Sequence, residues 1–161
     1  AFAPGRLGKG DFPAGRVAFL FQHPEEGFFA PTVREEVALA HRSFHGDAAA
    51  EGAEAAARAL DAAGLSPAEF LERSPHHLSQ GEKRLVALAS VLTLEAGIYL
   101  LDEPTIFLDG GARGRLAAAL ARIESRGAAI VAASHDDSFL RSRSDRVVAL
   151  EAGRLARSVN H

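Results

Sequence analysis

Apolar residues along this chain follow two rhythms. Short continuous runs at residues 16–21, 98–102, 128–133 and 146–151 have the length and composition of β-strands. Between them apolar residues recur every three or four positions, which predicts helices. Thr32 with Glu35 three residues on is a capping box, with Val33, Val37 and Leu39 as the apolar positions that follow. The alanine-rich stretch at about residues 47–63 predicts a helix stopped by Gly64, and a short helical turn follows Pro67. Ser79 with Glu82 is a second capping box; Leu85, Val86, Leu88, Ala89 and Leu92 carry that helix to about residue 95. Further helices are predicted at about residues 112–126 and just after His135. Pro24 and Pro31 bracket a loop carrying Phe28 and Phe29, and residues 1–15, rich in Gly and Pro, read as loop. Strand alternating with helix predicts an α/β fold, a parallel sheet covered on both faces.

Composition narrows the function classes. A chain of 161 residues fits one domain with a real core, and 47% hydrophobic with 24% charged residues is ordinary for a globular protein. The net charge of -3 offers no basic face for nucleic acid. With no cysteine, disulfides and thiolate metal sites are excluded. No apolar run approaches the roughly 18–20 residues that span a bilayer, so any membrane attachment is expected to run through another subunit. Methionine is absent even at position 1, which predicts a chain starting inside a longer reading frame.

The chemistry concentrates at the ends of the predicted strands, where parallel sheets place their ligands. Asp102 and Glu103 close the most apolar run. Carboxylate oxygen suits a hydrated Mg²⁺, and in-line attack on a phosphoryl group needs a base that orients water. Asp102 fits the first role and Glu103 the second. An isolated carboxylate pair at a strand end is more often merely solvated. Here Pro104 and the neighbouring motifs weigh against that. His135, after the third run, projects at the same sheet edge and can donate to a terminal phosphate. Ser79-Gln80-Gly81 opens a helix whose unpaired N–H groups favour an anion, although a plain capped helix start looks the same. Gln22 closes the first run and can reach a metal or water. Asp109 can turn a helix or touch a neighbouring subunit. His76-His77 reads as loop, without metal-ligand spacing, and His23, His41, His45 and His161 carry no functional pattern. Gly5-Arg6-Leu7-Gly8-Lys9-Gly10 has the wrong gap for a phosphate-binding P-loop and lacks its hydroxyl.

Together these residues resemble the ATP-binding cassette (ABC) ATPase family. Gln22 falls at its Q-loop and Leu78-Ser79-Gln80-Gly81-Glu82 resembles its LSGGQ signature. Ile98-Tyr99-Leu100-Leu101-Asp102-Glu103 resembles Walker B with its catalytic glutamate, Leu108-Asp109 the D-loop and His135 the switch histidine. The segments around Gln22-His23-Pro24, Phe28-Phe29-Ala30-Pro31 and Ser74-Pro75-His76-His77 look most like the ATPases of energy-coupling factor importers for metal ions and vitamins. The resemblance implies the C-terminal part of a P-loop NTPase (RecA-like) parallel-sheet core with an inserted ABC α-helical subdomain. The implied division is 1–22 partial core, 23–77 helical subdomain and 78–161 signature helix through switch histidine.

By the same resemblance, Glu103 and His135 are catalytic, Asp102 and Gln22 serve Mg²⁺, and Gln22, Ser79, Gln80, Gly81, Glu82 and Asp109 serve ATP. The implied partners are a second ABC ATPase subunit, identical or paralogous, and a transmembrane subunit at the cytoplasmic face of the cell membrane, with no nucleic acid. Phe28 and Phe29 are candidate contacts to that subunit, or an internal staple. Three departures stand out. Gln80 replaces a signature glycine, Ile106-Phe107 stand where small residues are usual, and the aromatic adenine platform and Walker A loop have no counterpart. The implied chain is a cassette shortened at its N-terminus, expected to bind ATP poorly alone and to bare apolar sheet surface. Two alternatives are an ABC-type ATPase of DNA repair or chromosome organisation, and a non-catalytic remnant. The first normally has a long coiled coil between Gln22 and Leu78, where only a short helical stretch lies.

Overall fold

The computed structural model describes residues 17–45 and 49–160. β1 (Val17–Leu20) is followed by a 3-10 turn at Pro24–Gly27, α1 (Val33–His45), α2 (Ala49–Ala62), α3 (Pro67–Phe70) and α4 (Gln80–Leu92). Then come β2 (Ile98–Asp102), α5 (Gly110–Ser125), β3 (Ala129–Ala133), α6 (Asp137–Arg143), β4 (Arg146–Glu151) and β5 (Arg154–Asn160). Capping chemistry sets the helix starts as expected. The Glu35 N–H donates to Thr32 Oγ1 at 3.2 Å, and Ser79 and Glu82 form a full reciprocal box. Gly64, at φ +76, lies just past α2 and provides the left-handed residue that ends it.

β1, β2 and β3 form a parallel sheet in that order, with Val17 opposite Ile98 and Ile98 opposite Ala129. Paired residues share a face. Ala18, Leu20, Tyr99 and Leu101 are buried on one face, in a single core with Leu85 and Leu88 of α4, Leu116 and Leu120 of α5, and Val33, Val37 and Leu60 of the helical region. Val131, 59% exposed, and Phe19, 41% exposed, mark the opposite face, with Ala129 and Ala133 exposed beside them.

The expectation of a sheet covered on both faces therefore fails among the described residues. The reason is topological. The strand order advances in one direction, and successive right-handed crossovers in one direction lay their helices on the same side. Covering the second face requires the order to reverse, and these three strands contain no reversal.

β4 also departs from expectation. It pairs antiparallel with β5 in a separate two-stranded sheet instead of joining the parallel one. Ala152 (φ +47) and Gly153 (φ +74) make the connection, the two positive φ values that match a tight hairpin to strand twist. β5 was not foreseen, because Arg154-Leu155-Ala156-Arg157-Ser158 is too polar to stand out as a strand. α4 stops at Thr93, short of residue 95, where Glu95 adopts φ +46 to turn the chain into β2.

Candidate functional site

A polar cluster gathers at the carboxyl end of β2. The Glu103 N–H donates to the Ala133 carbonyl at 2.8 Å, extending the β2–β3 ladder by one residue. The chain then turns sharply, with Glu103 at φ +48 ahead of the buried Pro104 and Thr105. A non-glycine residue in that conformation is a local strain held by its surroundings. The Glu103 carboxylate is gripped from β3's end. Ser134 Oγ donates to Oε2 at 3.2 Å, the His135 N–H donates to Oε1 at 3.1 Å, and His135 Nε2 lies 3.4 Å from Oε1. Thr105 and Ser134 hydroxyls are 3.3 Å apart, completing the network. Glu103 and His135 thus converge as the sequence predicts. Asp102, half-buried beside them, has no hydrogen bond to its carboxylate from any described residue.

Gln22 lies two residues past the end of β1 rather than closing it, with its side chain exposed. Its carbonyl is bound by a residue that sequence reasoning passed over, Arg84. This arginine in the second turn of α4 is 3% exposed. Its guanidinium donates to the carbonyls of Phe21 (3.2 Å) and Asp102 (2.7 Å), and to those of Gln22 and Glu103. One planar fork therefore ties the helix after the signature to the ends of both β1 and β2. The available signal was a cation sharing a helical face with Leu88 and Val91, four and seven residues on, where an unpaired charge would be costly.

At the start of α4, Ser79 Oγ accepts from the Glu82 N–H at 3.3 Å, and Glu82 Oε2 accepts from the Ser79 N–H at 2.7 Å. Glu82 Oε1 also pairs with Arg73 at 3.0 Å. The Ser79 N–H bond foremost, with Arg73 adding to it, holds the Glu82 carboxyl below its ordinary range despite partial burial. Both Glu82 oxygens are thus engaged in holding the helix start. Gln80 is exposed. A Cβ at Gly81 would meet the Phe107 carbonyl at 3.3 Å, so the helix start packs closely on the loop after β2. Phe107 itself takes φ +61 and is exposed, an unusual state for a bulky residue.

Asp109 caps α5 through Oδ1 from the Ala112 N–H at 2.7 Å, the helix-turning role foreseen for it. Phe28 and Phe29 divide. Phe28 is buried in the core while Phe29 is 80% exposed, and their loop is pinned by Glu36 Oε2 accepting from the Phe29 and Ala30 N–H groups at 2.9 and 2.8 Å. His76 and His77 are exposed in a 3-10 turn, and no group of three potential metal-ligating side chains gathers among the described residues. Residues 5–10 lie outside the described residues.

A strand end whose glutamate is clamped beside a histidine thus lies between a capped α4 and an Asp-capped α5 in the chain. Residues 8–106 match the family model described as ABC transporter. The chain belongs to the ABC transporter family. It is 42% identical over 144 residues to the nickel import ATP-binding protein NikO of Rhodobacter capsulatus, a match covering 88% of this chain and 56% of that one. It is 36% identical over 140 residues to the energy-coupling factor transporter ATP-binding protein EcfA of Methanothermobacter thermautotrophicus, covering 87% and 44%. The ABC chain spans about half the length of the curated relatives it matches.

Among solved structures, it is similar to the dimeric post-hydrolysis ATP-binding cassette MJ0796 bound to ADP and Pi, with TM-score 0.80 and 27% identity over 90% of this chain and 62% of that one. It is also similar to cbiO1 of Clostridium perfringens, part of the cbiONQ transporter complex, with TM-score 0.76 and 26% identity over 91% and 57%. The fold is that of the cassette ATPases, an α/β P-loop NTPase architecture. No described helix is long and apolar enough to cross a membrane.

Proposed function

We propose that the ABC chain contributes the hydrolytic strand ends and signature helix of an ATP-driven motor that powers import, of the energy-coupling kind, at the cytoplasmic face of a membrane. The observation that carries this reading is the Glu103 carboxylate held by Ser134 and the His135 backbone beside the His135 ring. Glu103 orients the attacking water and accepts its proton. His135 donates to the terminal phosphate, where negative charge concentrates. Ser79 and the N–H groups around Gly81 offer an anion site to the nucleotide of a facing cassette. Gln22 and Asp109 carry the site toward the membrane and ATPase partners. Glu82 holds the signature's start in place.

Mg²⁺ fits the donor set at β2's end. Asp102 has a carboxylate free of described partners, and a hard cation that keeps waters and phosphate oxygens needs only one or two such ligands. When bound, it neutralises charge on the phosphates. The test is ATP hydrolysis by the polypeptide as its gene encodes it. Glu103→Gln is expected to lower turnover about 10²–10³-fold with ATP binding retained. Turnover unchanged by that substitution would sink the assignment. The nickel importer and energy-coupling factor ATPases among its relatives support metal-ion or vitamin import as the transport class.

A further inference from the structure

A second candidate site lies at the opposite end of β2 from Asp102. A cavity of about 440 Å³ opens between α2, the end of α4, the turn into β2 and the end of α5. That is within the ~300–1,000 Å³ range of small-molecule sites. Its walls carry three cations, Arg58, Arg122 and Arg126, against one acid, Glu95, with an apolar floor that includes Ala59 and Ile123.

The cations are not simply neutralised by the fold. Arg122 is held in place by Nη1 donating to the carbonyls of Ala62 (3.0 Å) and Asp61 (3.4 Å), which fixes the guanidinium without cancelling its charge. Arg126 has no ion-pair partner among the described residues. Arg58 pairs only loosely with Glu54, at 3.5 Å.

Two further features are difficult to explain by packing alone. The buried Nε2 of His41, a residue of the same wall, has no hydrogen-bond partner among the described residues, while Nδ1 lies 3.4 Å from the Thr93 carbonyl. The rim residue Glu95 holds φ +46, a left-handed conformation that usually falls to glycine.

We infer that this cavity binds a small oxyanion-bearing molecule, a phosphate or carboxylate on a compact apolar body, with the Arg122 and Arg126 guanidinium groups on the anion and Ala59 and Ile123 under the body. Guanidinium forks suit both kinds of oxyanion. The inference stands apart from the hydrolytic reading, since none of its residues belongs to that site.

Titration of the protein with inorganic phosphate and, separately, with citrate, at low salt and followed by NMR, tests it. Saturable binding of either probe is expected, with phosphate alone indicating phosphate esters and citrate alone indicating carboxylates. Arg126→Ala should weaken binding at least ~10-fold. Arg126 is exposed, so the variant should fold. Ala62→Phe should abolish citrate binding by filling the cavity while leaving every charge in place. Arg141→Ala, which removes an exposed α6 cation outside both sites, should leave binding unchanged. No saturable binding of either anion up to about 20 mM would overturn the inference. So would binding that survives Arg126→Ala and Ala62→Phe, or that disappears in Arg141→Ala.

Discussion

His135 touches Glu103 twice. Its backbone N–H donates to Glu103 Oε1 at 3.1 Å, and its ring Nε2 lies 3.4 Å from the same oxygen while remaining 99% exposed. The backbone half of this contact positions the carboxylate, and the ring half is free to meet a substrate. The two roles belong to one residue but are separable by substitution.

His135→Ala should therefore leave Glu103 in place and the fold unaltered, since the main-chain donor survives. ATP turnover in the gene-encoded polypeptide should fall about 10–10³-fold, with thermal unfolding unchanged. A fall in melting temperature matching the loss of turnover would reassign the ring to structure.

Arg84→Met should be costly to the fold. Four carbonyl oxygens lose a charged donor, two of them at the end of β2. A loss of about 3 kcal/mol is expected from urea unfolding. Arg84→Lys should recover less than half, because an ammonium cannot span both strand ends. Equal stability of Met and wild type would show the clamp to be dispensable.

The cap at Glu82 gives a pH signature. Its carboxyl is held below the ordinary value of 4.5, chiefly by the Ser79 N–H. The stabilisation is thus fully present above 4.5 and is lost as pH falls through the lowered folded value. Glu82→Gln should be less stable than wild type by about 1 kcal/mol near neutrality. That gap should close as pH falls below 4.5 and through the lowered folded value. A gap that stays constant with pH would assign the effect to packing.

The bare sheet face predicts association. Val131 and Phe19 on the parallel sheet, with Leu150 and Leu155 on the hairpin, are large apolar side chains exposed by 41–75%. β3 and β4 line an open cleft of about 830 Å³ between them. The 161-residue chain should bind a hydrophobic dye and self-associate at micromolar concentration. Val131→Thr should reduce both with little loss of stability. A monodisperse chain that leaves the dye dark would contradict this.

Local signals were enough to place the helices, the first three strands, and Glu103 and His135 at one sheet edge. Thr32 and Glu35, Ser79 and Glu82, and the apolar run into Asp102 act through neighbours three or four residues away, and short-range geometry is written directly in order and spacing. The resemblance carried by those motifs also named the family. Arg84 escaped notice because its four partners come from segments 18 to 63 residues away, and only the folded chain brings them together. The hairpin partner of β4 and the uncovered sheet face depended on strand order and crossover direction, global properties that no local window contains. The split between Phe28 and Phe29, adjacent and chemically identical, was decided by Glu36 fixing their loop so that one ring faces the core and the other faces solvent.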